Sequence, residues 1–261
     1  MVRYKAESSI FGQRWVRLLH VCRRWRSIVF SAPLLLDLNI HLKCRTPMRE
    51  VTVLDNWPAL PIAIGAGGVD HEIVENIISA FEYEDRVSQI SVHSRSNNVL
   101  ETIVEAMKHP FPMLTRLSIN SADQTGMVLP DSLIGGCAPR LRSLRLQNVA
   151  FPALPKLLLS ATGLVNLSLS HANISQWISY GAMFDCLSLL TGLELFRLEF
   201  KSRYYSHREN QGLHQTRAVL PHLTALHFQG PTKYFDSLFP AIDAVCLNVS
   251  ISTSSIHPPS T

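Results

Sequence analysis

Apolar residues recur along the chain with one spacing, in which two variable positions and then one separate three apolar ones. Clear copies are Leu114-Leu117-Ile119 in LTRLSI, Leu141-Leu144-Leu146 in LRSLRL, Leu164-Leu167-Leu169 in LVNLSL, Leu193-Phe196-Leu198 in LELFRL and Leu223-Leu226-Phe228 in LTALHF. Weaker copies flank them: Leu35-Leu38-Ile40, Trp57-Leu60-Ile62, Val87-Ile90-Val92 and Ala244-Leu247-Val249. The end of each copy alternates apolar and polar, which predicts a short strand with one face in a core. Between copies the period lengthens towards that of a helix. Helices are predicted near 71–82, 97–108, 130–136, 154–161, 180–190 and 233–240. In VLETIVEAM, for example, Leu100, Ile103, Val104 and Met107 share one helical face.

Successive copies begin 21 to 30 residues apart, in or near the period of a leucine-rich repeat. The expected fold is therefore α/β: a leucine-rich-repeat solenoid with a parallel sheet and helices on its outer face. It is expected over residues 34–261, after a short helical segment at 1–33. Each unit would bury its apolar face against its neighbours. The competing reading is a βα protein with coincidental leucines.

Residues between the core leucines point the other way and should form rows across the sheet. The middle positions give Ser91, Ser118, Arg145, Ser168, Arg197 and His227. The preceding positions give Gln89, Arg116, Ser143, Asn166, Leu195 and Ala225, and the following ones His93, Asn120, Gln147, Ser170, Glu199 and Gln229. The candidate partner-binding face is Arg116, Ser118, Arg145, Gln147, Asn166, Ser168, Arg197, Glu199 and His227. Arg145 and Arg197 are its expected anchors, because a guanidinium can hold a carboxylate through two hydrogen bonds. The alternative is a merely solvated sheet face.

The front of the chain has a different pattern. Trp15, Leu18, Leu19, Cys22, Trp25, Ile28 and Val29 follow helical spacing and make one apolar face, with Arg14, Arg17, Arg23 and Arg24 to its sides. Ser31-Ala32-Pro33 stops the helix, since the residue before a proline is pushed out of helical angles. Trp25 is expected to be largely buried, near Leu36 and Leu38.

These residues carry a resemblance. VCRRWRSIVFSAPLLLDLNI is similar to the last helix of an F-box and its junction with leucine-rich repeats, as in fungal F-box-like proteins; WPALPIAI and DRVSQISV are similar to the same group. The resemblance implies a protein that performs no chemistry. Its F-box binds a Skp-family adaptor of a cullin-type ubiquitin ligase, and its repeats capture the substrate. In this family Trp15, Leu18, Leu19, Cys22, Trp25, Ile28 and Val29 would be packing residues of the F-box. The first F-box helix usually carries a Leu-Pro-x-Glu motif, which the fourteen residues before Trp15 lack. The expectation is a truncated F-box that binds the adaptor weakly or not at all.

Charge narrows the alternatives. The formal net charge is +4, yet residues 1–30 hold seven basic side chains against Glu7, so the rest of the chain is slightly acidic. Arginines interleaved with Trp15 and Trp25 are the pattern of a nucleic-acid contact. That reading is disfavoured, because the tryptophans share a face with leucines and the body offers no extended basic surface. No run of 18 apolar residues and no apolar signal core occur, so no membrane partner and a cytoplasmic or nuclear location are expected. The five cysteines form no CxxC pair, a pattern of buried thiols in a reducing compartment. GAGG at 65–68 lacks the Lys-Ser/Thr of a phosphate loop, and no HExxH or GxSxG is present. No enzyme activity, metal or cofactor is expected, and the eleven histidines have no fixed-spacing partners.

Overall fold

The computed structural model describes residues 21–31, 40–43, 60–69, 71–123, 127–171, 180–200, 217–244 and 248–254. The described elements begin with α1 (Arg23–Ser31), β1 (Ile40–Lys43), β2 (Ile62–Val69), α2 (His71–Phe81), β3 (Val87–Ser94), α3 (Asn97–Ala106), β4 (Arg116–Ser121) and β5 (Met127–Val128). It continues with β6 (Ser143–Gln147), β7 (Val149–Ala150), α4 (Leu154–Ser160), β8 (Asn166–His171), α5 (Tyr180–Leu189) and β9 (Leu195–Phe200). The last elements are β10 (Ala218–Val219), β11 (Ala225–Pro231), α6 (Thr232–Leu238), β12 (Ile242–Asp243) and β13 (Asn248–Ser254). A 3-10 turn at Leu133–Gly136 takes the place of the helix expected at 130–136.

The fold is α/β with one large parallel sheet. Nine strands pair in the order β1-β2-β3-β4-β6-β8-β9-β11-β13, which is also their order along the chain. Two small parallel ladders, β5 with β7 and β10 with β12, lie in the connections. Helices cover one face: α2 packs on β2, α3 on β3 and α6 on β11, and α2–α3, α4–α5 and α5–α6 touch. The apolar strand residues and the inner helix residues merge into one core, running from Leu60 through Leu117, Leu144, Leu167 and Phe196 to Ala241. In α3 the inner stripe is Val99, Leu100, Ile103 and Val104, as the helical spacing predicts.

The strand register places Ile90, Leu117, Leu144, Leu167, Phe196 and Leu226 side by side, as predicted for the central copies. Both ends differ. Ile64, not Leu60, aligns with Ile90, whereas Ile40 aligns with Ile62, as the first two copies predict of each other. At the far end Val249, not Leu247, aligns with Leu226. The slips are of four and two residues. Alternation of period two fixes which face a residue takes but leaves even-numbered slips open. Where apolar residues alternate beyond the motif, neighbouring strands decide the register.

Backbone bonds stitch the strand starts together. Thr115 N–H donates to Ser88 O, Arg142 to Thr115, Val165 to Arg142 and Glu194 to Val165, each at 2.8 Å. The strand ends turn on buried hydroxyls. Ser94 Oγ accepts from Ser96 N–H at 3.1 Å, and Ser121 Oγ donates to Asn97 Oδ1 at 2.7 Å. Asn148 Nδ2 then donates to Ser121 O at 2.7 Å, tying two turns together. Ser94 and Ser121 are fully buried, so these bonds satisfy groups that water cannot reach.

The front helix requires a correction. Of its predicted apolar face Val29 is 2 % exposed, but Trp25 is 46 % and Ile28 51 % exposed, and Cys22 is exposed too. Phe30 also packs against the core. Helix α1 thus meets the body through its last turn, and Trp25 lies one turn short of it. Periodicity shows which residues share a face, not how much of that face is covered. Trp15, Leu18, Leu19, Leu36 and Leu38 lie outside the described residues.

The expectation of buried thiols also needs correction: among the described cysteines Cys186 is free and buried, but Cys22 and Cys137 are free and exposed. Cys186 Sγ faces Pro155 O at 3.8 Å. Burial, helped by the charge of Asp185, pushes its thiol up from 9.0 to about 11. A thiol reagent at pH 8 should label Cys22 and Cys137 quickly and Cys186 only on unfolding. Because the unfolded thiol ionises first, the stability from Cys186 is fully present below about pH 9 and is lost as pH rises towards about 11. Rapid labelling of Cys186 in the native protein would contradict its placement.

Candidate partner-binding face

The side of the sheet opposite the helices is polar. In β4 the inward residues are Leu117 and Ile119, while Arg116, Ser118 and Asn120 take the other side. Parallel pairing turns such residues into three rows. The first is Gln89, Arg116, Ser143, Asn166, Leu195, Ala225 and Asn248. The second is Ser91, Ser118, Arg145, Ser168, Arg197, His227 and Ser250. The third is His93, Asn120, Gln147, Ser170, Glu199, Gln229 and Ser252. All nine residues of the candidate face therefore lie on one surface.

The two expected anchors differ. Arg145 is exposed, and among the described residues its side chain has no hydrogen-bond or ion-pair partner. Arg197 sits 3.7 Å from Glu199 through its Nε, with the two side chains 37 % and 27 % exposed. That Nε is buried and makes no hydrogen bond. At 3.7 Å the contact is ionic without a hydrogen bond, and Glu199 offsets much of the charge Arg197 would offer a ligand. The signal was readable beforehand: residues two apart on a strand share a face. Arg116 is exposed and, like Arg145, without a partner among the described residues. Glu199 is the one acid in the three rows, so the face is net positive.

Two further buried polar atoms in these rows have no hydrogen-bond partner, Ser170 Oγ and His93 Nδ1. Ser170 is only 2 % exposed, although the row pattern alone predicts a solvated hydroxyl. On the helix side, a groove of about 930 Å³ runs between α3 and the segment after β5, lined by Glu101, Glu105, Val128, Pro130 and Asp131. Glu105 there is ion-paired with Lys108. No group of three or more His, Cys, Asp and Glu side chains suited to a metal occurs among the described residues. No described helix is long and apolar enough to cross a membrane. No family model matches the chain, and neither the curated proteins nor the solved structures provide a match.

Proposed function

We propose that this chain is a protein-interaction protein: a leucine-rich-repeat solenoid whose polar sheet face captures a protein, serving as a substrate-recognition subunit of a cullin-type ubiquitin ligase. The observation that carries the reading is the alignment of Ser118, Arg145, Ser168, Arg197 and His227 in one row across successive parallel strands. Such a row offers an extended partner regularly spaced hydrogen-bonding groups. The sheet beneath it is pinned at every strand, so little ordering is needed on binding. The chain supplies proximity in this role; the ligase supplies the chemistry. The half-exposed Trp25 and Ile28 leave an apolar stripe on α1 for an adaptor to cover.

A photo-crosslinking side chain at position 118 or 168 tests the capture role. A protein should be trapped from these positions and not from position 159, which lies on the outer side of α4 where Leu159 is exposed. Trapping only from the helix side would overturn the reading. The ligase connection is tested by mixing the purified chain with a Skp-family adaptor. Weak association that Trp25→Ala abolishes is the expected result. No association at any accessible concentration would leave a binding scaffold without a ligase.

A further inference from the structure

We infer that the sheet face holds an oxyanion of its protein partner at one place, the square formed by Arg116, Ser118, Ser143 and Arg145 on β4 and β6. This deepens the partner-capture reading and rests on it. Arg116 pairs with Ser143, and Ser118 with Arg145. The two arginines therefore stand on one diagonal and the two serines on the other. Strands about 4.8 Å apart, with two residues rising about 6.6 Å, put the arginine Cα atoms about 8 Å apart. Long guanidinium arms span that gap and can close on one group between them.

The square is uncompensated. Both arginines are exposed and lack a partner among the described residues. Like charges this close on adjacent strands repel. The face's acid, Glu199, lies two strands away and is engaged with Arg197. An anion between the guanidinium groups removes the repulsion and gains charge-assisted hydrogen bonds. The serine hydroxyls are short, so they leave room for it and add donors beneath. Asn120 and Gln147, next along the same strands, offer amides to the backbone of an extended segment. Arg197 is the weaker anchor, because Glu199 beside it repels an incoming anion. The oxyanion is a carboxylate or a phosphate on a side chain of the partner.

Three blocked peptides test the site by fluorescence anisotropy with the full chain: oligoglutamate, oligoglutamine, and oligoglutamine carrying one phosphoserine. An anionic peptide should bind and oligoglutamine should not, and the tighter of the two anionic peptides names the source of the charge. Arg116→Gln and Arg145→Gln should each weaken binding about tenfold, the size of one charge-assisted bond. The double variant should abolish it. Arg217→Gln, which removes the same charge outside these rows, should leave binding unchanged, and melting should be unaltered in all variants. The proposal is overturned if neither anionic peptide binds better than oligoglutamine, or if the double variant keeps its affinity. A crosslinked partner still captured at position 168 by the double variant would overturn the anion site and leave the capture reading standing. Absence of any partner at that face would overturn the capture reading itself.

Discussion

Phe196→Ala is expected to lower the unfolding free energy by about 3–5 kcal/mol, the range for removing a buried aromatic side chain. Phe196, the second residue of β9, is fully buried. It stands between Leu167 on β8 and Leu226 on β11, in a position where the neighbouring strands carry leucine. Truncation leaves a void that the sheet cannot close. Strand β9 is held on both sides, by Leu195 N–H to Val165 O at 3.1 Å and by Ala225 N–H to Glu194 O at 3.0 Å. A backbone fixed in this way relaxes little, which places the loss high in the range. Urea denaturation measures it, and an unchanged slope is needed for the midpoint shift to be read as stability. A loss below about 1 kcal/mol, the size of a surface change, would show that the ring is not packed as described.

The core was the most legible part of the chain. From Val87 to Phe228 each leucine-spaced copy became a strand at its predicted place, because one apolar face and a helical return allow one arrangement. The same rule gave way at the ends. Around Ile40 and Ile62 apolar residues alternate on both sides of the motif, so several even-numbered registers bury the same face. The pairing of Ile64 with Ile90 is set by the neighbouring strand and not by the motif. Trp25 failed for a related reason: helical spacing grouped it with Cys22, Ile28 and Val29, but of these Val29 alone is buried, because the cover of a helix depends on where it meets the core.

The polar face was legible as a set of residues and less so as a site. The rows followed from alternation alone. The unequal worth of Arg145 and Arg197 follows from one neighbour, Glu199, and the pairing of Arg116 with Arg145 appears only when β4 lies beside β6. The buried hydroxyls of Ser94 and Ser121 had no sequence signal, because their partners Ser96, Asn97 and Asp123 come together only in the folded turns. Local pattern reports a face; cross-strand contacts make the chemistry.

Gly230→Ala should cost about 1–3 kcal/mol through overpacking. Gly230 is buried in β11, directly after the residue that pairs with Glu199, and so beside Phe200. A Cβ there would overlap Phe200 Cδ2, and would lie 3.0 Å from Phe200 Cγ and 3.1 Å from Phe228 Cζ. Phe200 cannot simply swing aside. Its ring meets Tyr234 edge-on with centroids 4.9 Å apart and Phe228 at 5.9 Å, while Phe235 packs on Phe228 at 5.2 Å. The glycine is therefore required for close approach and not for an unusual backbone angle. A double-mutant cycle separates these causes. With Phe200→Ala in the background, the methyl group has space, and Gly230→Ala should then cost less than about 0.5 kcal/mol, as at unconstrained sites. Thermal or urea unfolding of the four proteins gives the coupling directly. An equal cost in both backgrounds would mean that the β11 backbone, and not the aromatic cluster, demands glycine at this position.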